Sequence, residues 1–241
     1  MIDYTLPKCR PSTLDSYTNV RLILSAVERA VPILHGHVLD VGCGRMPYKE
    51  YVMERSGRVA QWTGLDLEER KHSEAPPDMT WDGETIDLPD ASVDCAMLTE
   101  VLEHCPKPDH VVREVFRVLR PGGFIFLTVP FIWPIHTVPY DEFRYTPFSL
   151  KRILLQAGFS DLSIEATGGR HAMLAVALGL WVRRRPLTSR VHVVTKAVGS
   201  VLLWPVIRLL TAMDERPEEL GESTLLVGLA AMARKRIAVC S

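Results

Sequence analysis

The sequence predicts an α/β domain, a mostly parallel sheet with helices on both faces, and three observations carry that prediction. Apolar runs of strand length alternate with segments of helical periodicity from residue 37 to residue 167. The first run, Val38-Leu39-Asp40-Val41, passes straight into a glycine turn, Gly42-Cys43-Gly44. Acidic residues then stand where three successive strands should end: Asp40, Asp66 and Asp82. Hydrophobic residues make up 47% of the chain, enough to bury a sizeable core.

Each element has a local reason. After a proline-containing arm, Val20, Ile23, Leu24, Val27 and Val31 recur at helical spacing and predict a helix from Ser16 to Leu34. The first strand and its turn occupy 37–44, and a short helix follows from Lys49 to Arg55. A second strand is expected over Gln61 to Leu67 and a brief third over Met79 to Trp81. The turn Leu88-Pro89-Asp90-Ala91-Ser92 leads into a fourth strand, Val93 to Thr99. A helix from Glu100 is broken by Pro106 and Pro108, and another runs from Asp109, read as its N-cap, to Leu119. Arg120-Pro121-Gly122-Gly123 stops that helix, and Phe124 to Val129 is the fifth strand. A proline- and aromatic-rich loop, 130–147, precedes a helix from Phe148 to Ala157 and a sixth strand from Phe159 to Thr167. Residues 168–222 interrupt the alternation with two apolar stretches, Ala172 to Val182 and Ala197 to Met213, on either side of Arg183-Arg184-Arg185-Pro186. Thr224 to Met232 resumes a buried-strand character. The expected parts are an N-terminal arm and helical cap (1–36), a ligand-binding core (37–167), an apolar helical insertion (168–222) and a last strand with its tail (223–241).

The totals exclude several classes. A net charge of -1 gives no global basic field for nucleic acid. Five cysteines at irregular spacing, with no C-x-x-C pair, argue against a disulfide framework or zinc knuckle and fit a cytoplasmic location. The first residues lack a signal-type apolar run, and no uninterrupted apolar stretch reaches the ~18 residues of a spanning helix.

The glycine turn is where a ligand approaches the backbone. Gly42 and Gly44 remove side chains at a strand end, where the helix that follows leaves amide donors free. A dinucleotide fingerprint needs a third glycine, and that frame holds Pro47 instead. Asp66 is placed to accept from ribose hydroxyls and Asp82 to meet an adenine amino group; a lone loop acid would be unremarkable, but three in register are not.

Taken together, VLDVGCG (38–44), GLDL (64–67), WDG (81–83), LPDASVD (88–94), TEVLEH (99–104) and VLRPGGFIFLTVP (118–130) resemble the class I S-adenosylmethionine-dependent methyltransferases, in the branch that includes those of ubiquinone biosynthesis. One departure is Met46, where many members carry another glycine. The resemblance implies a Rossmann-like, seven-stranded, mostly parallel sheet whose last strand is antiparallel, with the helical insertion before it. It also implies S-adenosyl-L-methionine as cofactor, leaving as S-adenosyl-L-homocysteine. Asp40, Gly42 and Gly44 would line its methionine and ribose, Asp66 with Leu67 its ribose, Asp82 with Gly83 its adenine, and Thr99 and Glu100 would lie beside it. Tyr17 and Arg21 on the first helix are placed to close over its carboxylate.

The acceptor belongs to the loop after the fifth strand. His136 is a candidate base, Asp141 its orienting partner, and Arg144 an anion clamp, with Tyr140 and Tyr145 as substrate contacts. The bland reading makes Asp141–Arg144 a loop ion pair and His136 a packed side chain. Glu100, Glu103 and His104, at helical spacings, resemble the metal site of some O-methyltransferases, so a divalent ion is an alternative in which His104 is a ligand; without one, His104 stands at the rim with catalytic potential. The resulting expectation is O-methylation of a small-molecule hydroxyl on a sugar, polyketide or other product of natural product biosynthesis. N- or C-methylation, and cofactor binding without catalysis, are the alternatives. The insertion is read as core, dimer face, acceptor lid or a surface that contacts a membrane peripherally through Trp181 and Arg183 to Arg185.

Overall fold

In the computed structural model, residues 3–67, 76–184 and 190–237 are described. The polar run from Glu68 to Ala75, Arg185 of the basic turn, and the last four residues lie outside them. The chain divides into two compact units, residues 26–165 with 229–241, and residues 1–25 with 166–228.

The larger unit is built on a seven-stranded sheet: β1 (Gly36–Val41), β2 (Val59–Leu67), β3 (Met79–Trp81), β4 (Val93–Thr99), β5 (Leu119–Pro130), β6 (Phe159–Ala166) and β7 (Gly228–Lys235), in the spatial order β3-β2-β1-β4-β5-β7-β6. β1 pairs in parallel with β2 and with β4, and β4 with β5. β1, β4 and β5 are buried on both faces, as their near-continuous Val, Leu and Ile content requires. The reversal of strand order between β1 and β4 leaves a crevice at their carboxyl ends, which is where such sheets bind ligands. β7 runs antiparallel to β6. Its first residue accepts from Thr167 beyond the end of β6, while Arg234 near its own end accepts from Ser160 at the start of β6.

The helices are α1 (Tyr17–Ala30), α2 (Lys49–Ser56), α3 (Pro108–Val118), α4 (Pro147–Ala157), α5 (Arg170–Arg183) and α6 (Arg190–Ala212). α4 shows its causes well: Thr146 and Ser149 form a reciprocal capping box, Pro147 opens the first turn, and Gly158 closes the helix in the left-handed region at φ 105°.

Four expectations are corrected. The helix predicted from Glu100 is a single 3₁₀ turn, Leu102–His104, because Glu100 takes φ 55° and breaks any helical start. Asp109 is not a cap; α3 begins at Pro108, and Lys107 at its N-cap makes no side-chain bond. α3 ends before Arg120 as expected, but the fifth strand begins at Leu119 rather than Phe124 and takes in Arg120–Gly123 with a register shift, Val93 opposite Leu119 and Cys95 opposite Phe124. The last strand lies at Gly228–Lys235 rather than at Thr224–Met232.

The smaller unit packs α5 and α6 around Leu14, Ala175, Val182 and Ile207. Gly179 lets α5 pass its neighbour closely, since a Cβ there would sit 2.0 Å from the Leu14 carbonyl oxygen. Thr18 and Thr211 share a buried hydrogen bond of 2.9 Å, and Trp204 Nε1 donates to the Cys9 carbonyl at 2.9 Å. α6 continues through Pro205. Its segment His192–Ala212 is therefore long and apolar enough to cross a bilayer by length and composition, with a mean hydropathy of 1.6, where the sequence reading expected no such helix.

Candidate active site

The turn after β1 is fixed by backbone bonds and one carboxylate. Gly42 and Cys43 both donate to the Leu65 carbonyl, at 2.7 and 3.1 Å. Asp66, almost fully buried, accepts from Gly44 N at 3.0 Å and from Leu67 N at 2.8 Å, which ties the turn to the end of β2. Gly42 is required twice over: its φ is 66°, and a Cβ would meet Val101 at 2.7 Å. At Gly44, φ is 54° and a Cβ would meet nothing within 4 Å, so the backbone stands open to a ligand. Met46 also has positive φ, 51°, which explains why a glycine suits that position. Its sulfur fills the space over Gly64, 2.6 Å from where a Cβ would be.

A cleft of about 360 Å³ opens at the carboxyl ends of β1 to β4. Gly42, Asp66, Leu67, Asp82, Gly83, Glu100, His104 and Tyr140 line it, all anticipated from sequence. Trp81, Glu84, Val101, Cys105, Pro106, Lys107 and Val111 line it as well and were not anticipated. The apolar ones offer a wall for a flat ring. Their signal was present in the prolines that break the chain after β4, but an assumed helix hid which side chains turn inward.

Acidic groups dominate the polar wall. Burial pushes the Asp40 carboxyl up to about 8, with the Asp66 charge adding to the rise. Burial likewise pushes Glu100 up to about 7. Asp82 instead accepts from Glu84 N at 2.8 Å and Thr85 N at 3.1 Å, and these bonds hold its carboxyl below the usual range. A ligand carrying a positive centre and hydroxyl donors matches this wall.

The 131–146 loop contributes a second cluster. Arg144 grips Asp141 with both terminal nitrogens, at 2.7 and 2.9 Å, and donates also to the Phe143 and Trp133 carbonyls. That fork, before any other cause, lowers the Asp141 carboxyl far below its ordinary value. Asp141 in turn accepts from His136 N at 3.0 Å and lies 3.2 Å from His136 Nδ1. The His136 ring meets His104 edge-on, with centroids 4.7 Å apart. His104 Nδ1 lies 3.2 Å from the Tyr140 carbonyl. The loop thus holds an Arg–Asp–His–His chain, with His104 as the member on the cleft. Arg144 is engaged with Asp141 and with carbonyls of the loop.

Among the predicted residues of the larger unit, Asp40, Gly44, Thr99, His136, Asp141 and Arg144 are not in the cleft lining. Tyr145 is buried, and its hydroxyl donates to the Leu102 carbonyl at 2.8 Å, which makes it a brace for the 3₁₀ turn. Tyr17 and Arg21 lie on α1 in the smaller unit, where Arg21 Nη1 donates to the Tyr17 hydroxyl at 3.2 Å.

The metal alternative changes its members. Glu100, Glu103 and His104 do not share a helical face, since the helix is absent. Glu103, His104 and His136 instead place one ligand atom each within 4.8 Å of one another. The Glu103 carboxylate is fully buried, neither oxygen has a hydrogen-bond partner, and burial, with the Glu100 charge beside it, holds its carboxyl well above the usual range. A buried carboxylate left this way requires a proton or a cation.

Comparison with known proteins agrees with this geometry. Residues 39–127 match a family described as a methyltransferase domain. Over 113 residues the chain is 31% identical to a ubiquinone biosynthesis O-methyltransferase of Dechloromonas aromatica, covering 42% of this chain and 47% of that protein. Over 99 residues it is 35% identical to a fatty-acid O-methyltransferase of Mycolicibacterium smegmatis, covering 38% and 36%. The chain therefore spans about half the length, or less, of these curated relatives. Among solved structures, a SAM-dependent methyltransferase from Archaeoglobus fulgidus is similar with a TM-score of 0.55 at 20% identity, over 89% of this chain and 94% of that one. The cyclase SpnF is similar at 0.56 and 23%, over 90% and 81%. A Haemonchus contortus phosphoethanolamine N-methyltransferase in complex with S-adenosyl-L-methionine is similar at 0.54 and 17%, over 90% and 53%. These likenesses establish the fold.

Proposed function

We propose that this chain, which carries a class I S-adenosylmethionine-dependent methyltransferase domain, methylates a hydroxyl of a small-molecule acceptor. The observation that carries the reading is the single cleft at the strand ends that gathers Gly42, Asp66, Asp82, Gly83 and Glu100. Gly42 and Gly44 let backbone approach the methionine and ribose portion, Asp66 accepts from the ribose, and Asp82 with Gly83 holds the adenine. Glu100, on the cleft wall, faces the cationic end of the ligand. When bound, S-adenosylmethionine supplies a methyl group already activated on a sulfonium, so the protein's main task is alignment.

A hydroxyl acceptor additionally needs its proton removed. His104, on the cleft with the His136 ring edge-on against it, is placed to take it, and Asp141, fixed by Arg144, orients His136. The O-methyltransferase names of the curated relatives support oxygen as the methylated atom; sugars, polyketides and other hydroxylated secondary metabolites fit the cleft's mixed wall. Isothermal titration with S-adenosylmethionine tests the first step. Asp66→Ala is expected to weaken binding at least roughly tenfold, the loss of a charge-assisted bond. With a hydroxylated acceptor, His104→Ala is expected to lower kcat about 10²-fold or more while cofactor affinity is retained. Full activity in that variant would remove the base assignment.

The buried Glu103 carboxylate, without a hydrogen bond and with His104 Nε2 3.7 Å from its Oε1, favours a second reading, in which a divalent cation held by Glu103, His104 and His136 replaces the histidine base. Titration with Zn²⁺ or Mn²⁺ separates the two. Tight binding lost in Glu103→Gln supports the metal, and no binding to the wild type sinks it.

A further inference from the structure

Residues 130–140, which carry His136 toward the cleft, hold no Asp, Glu, Lys or Arg in a chain that is 24% charged. Ile135 and Val138, on either side of His136, are 80% and 74% exposed, and no other large apolar side chain among the described residues is as open. Phe131 and Tyr140 are exposed as well. Bonds hold the loop in this posture. His136 N donates to Asp141 at 3.0 Å, Arg144 to the Trp133 carbonyl at 3.2 Å, and Tyr140 N to the Thr137 carbonyl at 3.0 Å. The Glu103 carbonyl accepts from Glu142 N and Phe143 N, which ties the far end of the loop to the 3₁₀ turn. Between Ile135 and Val138, the β-branched Thr137 sits at φ 51°, a strained backbone that these anchors sustain. Apolar side chains clustered and held out to water by a fixed backbone form a contact surface.

This surface is continuous with the cleft. Tyr140 belongs to both, since it lines the cleft and is half exposed. Its carbonyl lies 3.2 Å from Nδ1 of His104, against which the His136 ring stands edge-on. We infer that the acceptor carries its hydroxyl on an apolar body, which lies outside the cleft against Ile135, Val138 and Tyr140. The inference rests on the methyltransferase reading of the cleft. Volume and charge select this occupant. At about 360 Å³ the cleft is near the lower limit for a ligand site, and a nucleoside joined to methionine takes up that space, so the body of the acceptor stays at the mouth. There, residues 131–140 offer no charge to an ionised or phosphorylated acceptor and much apolar area to an apolar one. A free sugar, dense in hydroxyls, would leave Ile135 and Val138 in water. A second chain seated on the loop would cover the cleft mouth at Tyr140, where the acceptor has to enter.

Isothermal titration of the S-adenosylhomocysteine-loaded protein with phenol and its p-alkyl homologues, up to p-hexylphenol, tests this. Affinity is expected to rise about twofold for each added carbon, the gain for a chain covered on one side only. Methyl glucoside is expected to bind more weakly than p-hexylphenol. Ile135→Ser with Val138→Ser is expected to flatten the rise with chain length while S-adenosylhomocysteine affinity is kept, which also shows that the variant is folded. Affinity independent of chain length in the wild type, an equal rise in the variant, tighter binding of methyl glucoside, or a concentration-dependent dimer that the variant dissociates would each overturn the inference. Absent S-adenosylhomocysteine binding is a different failure: it would remove the methyltransferase reading, and the inference with it.

Discussion

Asp40 ends β1 with its carboxyl buried, and that burial has a consequence for stability. In an unfolded chain an aspartate titrates near 3.9, whereas Asp40 in the fold keeps its proton up to about 8. Between those values the folded protein binds a proton that the unfolded chain has released. Stability from this group therefore falls as pH rises from about 4 to about 8, and no penalty exists below both values. Asp40→Asn is expected to flatten that part of the profile, read as melting temperature against pH. Asp40, Gly42 and Asp66 were legible in sequence because each must be that residue type for a local reason. Arg144 was legible only as an alternative. Both a ligand clamp and an ion pair with Asp141 suit the same spacing, and the bidentate geometry decided for the ion pair.

Among the elements, the glycine turn and β2 are fitted to each other through one side chain. Met46, held at positive φ, lays its sulfur over Gly64, beside Cys43 Sγ. Gly64→Ala is expected to destabilise the protein by about 1–3 kcal/mol, the cost of overpacking. In a Met46→Gly background part of that loss should vanish, giving a coupling of at least about 0.5 kcal/mol in a denaturant double-mutant cycle. Additive effects would show that the two elements do not share this space. The segment after β4 carries the opposite lesson. Its Glu and His spacing reads as a helix, yet positive φ at Glu100 and two nearby prolines confine it to one 3₁₀ turn. Tyr145 and the backbone of Glu142 and Phe143 then bond to that turn from the 131–146 loop. Those contacts link residues some forty positions apart, which no local pattern encodes.

For the molecule as a whole, the site is a property of strand order. Ligand binding at the ends of several strands should stabilise the entire sheet. At S-adenosylmethionine concentrations a hundredfold above Kd the expected gain is about 2.7 kcal/mol, which for a chain of this size is roughly a 5–10 °C rise in melting temperature. Thermal scanning with and without the cofactor checks it, and an unchanged midpoint would contradict cofactor binding in the native state.

The sequence by itself determined the α/β class, the sheet's glycine turn and the acids at its strand ends. Each follows from short-range constraints: apolar runs of strand length, positive φ at glycine, and carboxylates where backbone donors end. The tertiary structure alone decided that β7 lies between β5 and β6 and that Glu103 is buried without a hydrogen-bond partner. It also decided that His104 rather than His136 stands on the cleft, and that one side of α6 is left bare. Burial and pairing of that kind depend on what distant segments bring alongside, and an apolar helix reads the same in sequence whether its outer face meets a core, another chain or a lipid surface.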